Sequence, residues 1–209
     1  MDAVLDTPHL LALAAALGWA SGVRLYAALF LVGAAGFMGW VELPHALHVL
    51  QHPAVLAASG FMCAVEFFAD KIPLVDSMWD IVHTVIRIPA GAALAAAAFG
   101  AGNEAMTVVA ALLGGSLAAT SHAAKLTTRA AVNTSPEPFS NLAVSLAEDG
   151  FVVFMLWLSA THPLAFAIVL AATLLVAVAL MVVLVKFLKL VVARLRAFFA
   201  GRPAIEGRN

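Results

Sequence analysis

The chain has 209 residues, 64% of them hydrophobic and 11% charged, with a formal net charge of −1. A soluble globular domain carries roughly 25% charged residues, so this composition, with a mean hydropathy of +1.02, excludes that class and points to an integral membrane protein. The near-zero net charge gives no bias toward nucleic acid or another polyanion, and a single cysteine, Cys63, excludes an internal disulfide.

Apolar stretches of span length fall at about 9–37, 53–69, 77–99, 104–130, 141–161 and 163–190, separated by polar or Pro/Gly punctuation. The pattern predicts an all-α, polytopic helix bundle of about six spans. One transmembrane domain then fills residues 1–200, and 201–209 form a cytoplasmic tail.

The run from Leu10 to Leu17 imitates a signal-peptide core, but Asp2 and Asp6 stand where a positive flank should be, so it reads as the start of a retained first span. This span carries Ser21, Arg24 and Tyr26, with Gly18 and Gly22 before the arginine, and a kink or unwound turn is expected there. The loop after it contains Glu42, His45, His48 and His52 near one helical face. Such spacing can hold a metal, but without a companion carboxylate or cysteine set it reads as a short interfacial helix with exposed histidines.

In the second span Ser59, Cys63, Glu66 and Asp70 fall on one helical face, and in the third Asp76, Asp80, His83 and Arg87 repeat the spacing. Pro89 and Gly91 mark a second expected kink. The fourth offers His122, Lys125 and Arg129, with Ser121 alongside and Asn133 one turn beyond. A rigid turn through Ser135, Pro136, Glu137 and Pro138 then leads to a helix start that Ser140 or Asn141 can cap. The fifth carries Asn141, Ser145, Glu148 and Asp149. The sixth outruns a bilayer, so its basic end (Lys186, Lys189, Arg194, Arg196) emerges as an amphipathic helix at anionic headgroups or as a solvated tail. Ile205 to Arg208 matches a protease-recognition linker and receives no function.

Ionisable residues in lipid are costly and normally face a bundle interior or a watery cavity. Six acids (Glu66, Asp70, Asp76, Asp80, Glu148, Asp149) stand against five bases (Arg24, Lys71, Arg87, Lys125, Arg129), a nearly balanced set spread over five spans and the turn carrying Lys71. They imply one shared polar interior. With His83, His122, Asn133, Glu137 and Asn141 they are the candidate ion- or solute-binding residues. No cofactor is expected, and no metal is assigned. Small residues at Gly33, Gly36, Gly91, Gly114 and Gly115 let helices approach without charge, which frees the charges for function.

The leading reading is a small transporter or permease for an ion or small charged solute. The alternatives are an intramembrane enzyme with His83 or His122 as acid/base and Lys125 with Arg129 binding phosphate, and a structural membrane subunit whose charges only pack helices. Partners are membrane lipids and the ion or solute, and a homo-oligomer stays open. Lys and Arg occur in alternate loops, while loops at 40–52, 100–103 and 161–163 have none, which places both termini in the cytoplasm. A cut near residue 101 yields two three-span halves, 1–101 and 102–200, of opposite orientation, as in inverted repeats.

The chain resembles a bacterial membrane family designated domain of unknown function 4126. The residues that carry the likeness are Ser21 to Tyr26, Glu66 to Pro73 with Asp76 and Asp80, and His122 to Lys125 through Arg129, Asn133, Ser135 to Pro138 and Asn141. The resemblance implies a bacterial inner-membrane location and transfers no activity.

Overall fold

The computed structural model describes residues 6–72, 74–100, 104–134 and 139–199. Its elements are α1 (Thr7–Phe37), a short 3-10 helix (His45–Gln51), α2 (Pro53–Ala69), α3 (Val75–Phe99), α4 (Glu104–Val132), α5 (Phe139–Thr161) and α6 (Pro163–Phe199). Helix starts follow local chemistry. Asp6 accepts the His9 amide at 3.1 Å to cap α1, and His52 Nδ1 accepts the Ala54 amide at 3.2 Å ahead of Pro53, the first residue of α2. Five helices are long and apolar enough to cross a membrane, and six if the 3-10 helix and α2, bent by 67°, count as one span.

α1 is the hub, with 67% of its most apolar stretch buried against 6% for α6. It is not straight, because Arg24 leaves helical geometry (φ −145°, ψ 76°). Leu13 before the break and Leu31, Val32 and Ala35 after it line one cavity of about 350 Å³ with Leu156, Trp157 and Ser159 to Thr161 of α5. A continuous helix would hold Leu13 and Leu31 roughly 27 Å apart. α1 therefore folds back at Arg24 into two arms, 7–23 and 25–37, whose outer ends lie at the same end of the bundle.

Leu11 lines a cavity with Phe99 and Met106, and Leu13 one with Thr161, so α1 begins beside the loops that have no basic residue. α6 starts at that end too and runs 37 residues, roughly 55 Å at helical rise, carrying Lys186 to Arg196 to the opposite end. The start of α1 and the basic end of α6 thus lie at opposite ends of the bundle.

Of the two expected breaks, α3 shows none, since it stays helical through Pro89. Gly91 there serves close approach. A methyl group at Gly18 would strike the Gly114 backbone, one at Gly114 would strike Gly91 and Ala95, and one at Gly91 would meet Ala118. α1, α3 and α4 cross at this point with backbone against backbone.

The first loop forms a 3-10 turn instead of an α-helix, with Glu42, His45, His48 and His52 exposed. His48 Nε2 lies 2.8 Å from the Leu43 carbonyl, and the described residues contain no metal-binding group of three ligands. Cys63 is free and partly exposed. The basic end of α6 continues the span as one helix to Phe199. The cut near residue 101 falls in 101–103, outside the described residues.

Candidate functional site

The break at Arg24, the C-terminal end of α2, the first turns of α3, the last turns of α4 and the first turns of α5 meet at one end of the bundle. Each contributes the charged face expected from its helical spacing. Arg24, Glu66, Asp70, Asp76, Asp80, Arg87, Lys125 and Arg129 are all buried, so the scattered charges do converge.

Asp70, which ends α2, is the centre. Its Oδ2 pairs with Arg24 Nη1, with Lys125 Nζ at 2.6 Å and with Arg129 Nη2 at 3.9 Å. A second focus lies deeper, where Arg87 Nη2 donates to Glu66 Oε1 at 2.6 Å and Nη1 pairs with Asp80 Oδ1 at 2.7 Å. Lys125 joins the two foci, since Nζ is also 3.1 Å from Asp80 Oδ1. α5 closes the network, with Glu148 Oε2 2.6 Å from Arg129 Nη2 and Asp149 Oδ1 3.0 Å from Arg24 Nη2.

Further donors reach backbone carbonyls and side-chain oxygens, while Nε of Arg24, Arg87 and Arg129 has no hydrogen-bond partner. Arg24 reaches Ser145 O at 3.1 Å and Oγ at 2.9 Å. Lys125 donates to Val23 O at 3.1 Å, a carbonyl exposed by the break in α1. Arg129 donates to Asp70 O at 3.0 Å and to Asn141 Oδ1 at 2.6 Å. Asn141 is thus a ligand of Arg129, inside the first turn of α5 and not ahead of it.

The other predicted residues sit around this centre. Asn133 donates to both oxygens of Asp76 at 3.1 and 3.2 Å, and Asp76 Oδ1 also accepts the Ser77 amide at 2.6 Å. Lys71, in the turn after α2, pairs with Asp149 Oδ2 at 3.2 Å and lies 3.0 Å over the Phe67 ring. Burial draws its ammonium below the ordinary lysine value, while Asp149 pulls the other way. Glu137 lies outside the described residues.

The histidines occupy separate places. His122 Nε2 lies 2.8 Å from Thr84 Oγ1, and its Nδ1 lies 3.3 Å from both Arg87 Nη1 and the Gly22 carbonyl. His83 stacks on Trp79 with centroids 4.1 Å apart, meeting Trp79 O at 2.7 Å and Tyr26 Oη at 3.2 Å. Every imidazole nitrogen of this pair is engaged within the protein.

Thr84 and Trp79 went unread in the sequence. Thr84 shares the face of Asp80 and Arg87 and was visible in that register, whereas the carbonyls of Gly22, Val23 and Asp70 have no residue-type signal.

Not every polar atom is served. Among the described residues Glu66 Oε2, Asp70 Oδ1 and Asp80 Oδ2 are buried with no partner. A cleft of about 160 Å³ between α1, α4, α5 and α6 reaches the network's edge at Val23, Lys125 and Glu148.

A family model described as "Domain of unknown function (DUF4126)" matches residues 11–183. The chain belongs to the DUF4126 family. Neither a curated protein nor a solved structure matches it significantly. The DUF4126 match covers every described member of the network and stops before Lys186, so the basic end of α6 lies outside it.

Proposed function

We propose that this chain is a small transporter or permease of the bacterial inner membrane for an ion or small charged solute, and that the charged network is its closed state. The observation that carries the reading is the set of three unpartnered carboxylate oxygens on Glu66, Asp70 and Asp80. A purely structural buried network is favoured when every member is satisfied, because a half-served carboxylate in low dielectric is costly. Open lone pairs next to ammonium and guanidinium partners suit exchange of a proton or ion instead.

Two further features support it. The break at Arg24 separates two half-helices at the network, the arrangement by which transporters expose backbone carbonyls to ions. The cleft at Val23, Lys125 and Glu148 supplies a route to the network's edge. The positive-inside rule, applied to Lys71, Lys125, Arg129 and the basic end of α6, favours a cytoplasmic position for the charged face.

The test is flux in proteoliposomes under imposed gradients of small cations and anions. Glu66→Gln is expected to reduce flux at least tenfold, and unchanged flux removes Glu66 from the mechanism. The pairing of each of the five bases with a carboxylate favours a second reading, a structural subunit. It expects no flux from the wild type under any gradient.

A further inference from the structure

The end of α6 has no part in the charged network. Ala177 lines the cleft beside Lys125 and Glu148, and Lys186 follows roughly 14 Å further along the helix. α4 ends at Val132, about 10 Å beyond Lys125 at the same rise, so Lys186 stands level with the end of the bundle or past it. There α6 carries Lys186, Lys189, Arg194 and Arg196, all exposed, with no acid anywhere between Pro163 and Phe199. Among the described residues none of these bases is joined to an acid. At about 100° per residue, Lys186, Lys189 and Arg196 fall within about 80° of one another. They form a stripe on the side opposite Leu184, Leu188 and Val191, which are half-buried. Val183 and Leu190 border the stripe on one edge, Val185 and Val192 on the other, and all four are exposed. Arg194 lies outside it.

We propose that the end of α6 is a docking surface for anionic phospholipid headgroups, whose phosphates lie along Lys186, Lys189 and Arg196. Neither plainer surrounding suits it. In water the apolar edges of the stripe would stay hydrated, and in hydrocarbon its three cationic groups would be costly. The headgroup boundary accommodates both, with the apolar edges toward the acyl chains and the bases toward phosphate. Charge complementarity selects the anionic lipid. A stripe of bases without an acid is drawn to a negatively charged leaflet, and each Lys or Arg near that surface adds to the binding. A zwitterionic headgroup offers it no net charge. The stripe is roughly 15 Å long, longer than a headgroup layer of about 5–8 Å, so α6 crosses that layer on a slant. Its bases lie beyond residue 183, where the DUF4126 match ends, and the inference stands without the transport reading.

The experiment holds the full chain in mild detergent, adds phosphatidylglycerol and phosphatidylcholine at equal concentration, and counts bound lipid by native mass spectrometry. The wild type is expected to retain at least about tenfold more phosphatidylglycerol than phosphatidylcholine. Combining Lys186→Gln, Lys189→Gln and Arg196→Gln should abolish the preference, whereas Lys186→Arg with Lys189→Arg should keep it, because the charge is kept. Equal retention of the two lipids by the wild type overturns the proposal, and that measurement needs no variant to fold. A preference that survives the triple substitution overturns it too, since the anionic lipid would then be held elsewhere. Displacement of phosphatidylglycerol by an equal concentration of inorganic phosphate would make this a free-anion site and not a lipid surface. A two-chain mass that falls to one chain in the triple variant would give the face to a second copy instead.

Discussion

On either side of the crossing of Gly18, Gly91 and Gly114, the same helices are held together by opposite means. Toward the face where α1 begins they meet through Ala12, Ala16, Leu17, Ala95, Ala98, Val152 and Met155. Toward the other face they meet through Arg24, Glu66, Asp70, Asp80, Arg87, Lys125 and Arg129. Lipid tails are as apolar as leucine, so neither half gains from hydrophobic exclusion. The apolar half depends on shape, and the charged half on each charge finding its complement. The two should fail differently.

The largest expected effect belongs to shape. Gly114→Leu drives a side chain into Gly91 and Ala95 and should cost more than about 4 kcal/mol, read as loss of monodisperse protein in size-exclusion chromatography. The neighbouring Gly115, where a methyl would meet only Ala92 Cβ at 3.4 Å, is the contrast. Gly115→Ala should stay within about 0.5 kcal/mol of the wild type, and equal damage at both positions would refute the crossing.

Next comes the charged centre. Asp70→Ala removes the buried acid that Arg24, Lys125 and Arg129 share, leaving Asp149, Asp80 and Glu148 as their partners, and should cost about 3 kcal/mol, seen as a lower melting temperature in detergent. A wild-type melting curve would show that Asp70 is not the hub. The pair Glu66 and Arg87, 2.6 Å apart, sharpens the comparison. Glu66→Gln and Arg87→Met should each destabilise, while the double variant should recover about 0.5–3 kcal/mol relative to their sum, because no lone charge is left. Strict additivity in that cycle would mean that the two charges do not interact.

The smallest effect is expected at the rim. Lys71 keeps about 14% of its side chain exposed, and Asp149 about 26%, so Lys71→Met should cost under about 1 kcal/mol. A loss as large as that of Asp70→Ala in the same melting assay would mean that the network extends undiminished to the turn after α2.

Residue types and their spacing in the chain determined the membrane class, the helix boundaries and the face that each charge occupies. Glu66 with Asp70, and Asp80 with Arg87, had to share a side because helical periodicity is local. Only the tertiary structure decided which acid meets which base, that Asn141 serves Arg129 and not a helix cap, and that Pro89 leaves α3 helical while Arg24 folds α1 back. Pairing depends on which helices are neighbours, and carbonyls freed by a break are common to every residue type. No residue letter announces them, so the contacts of Lys125 with Val23 O, Asp70 and Asp80 existed in the sequence only as one lysine and two aspartates without a geometry.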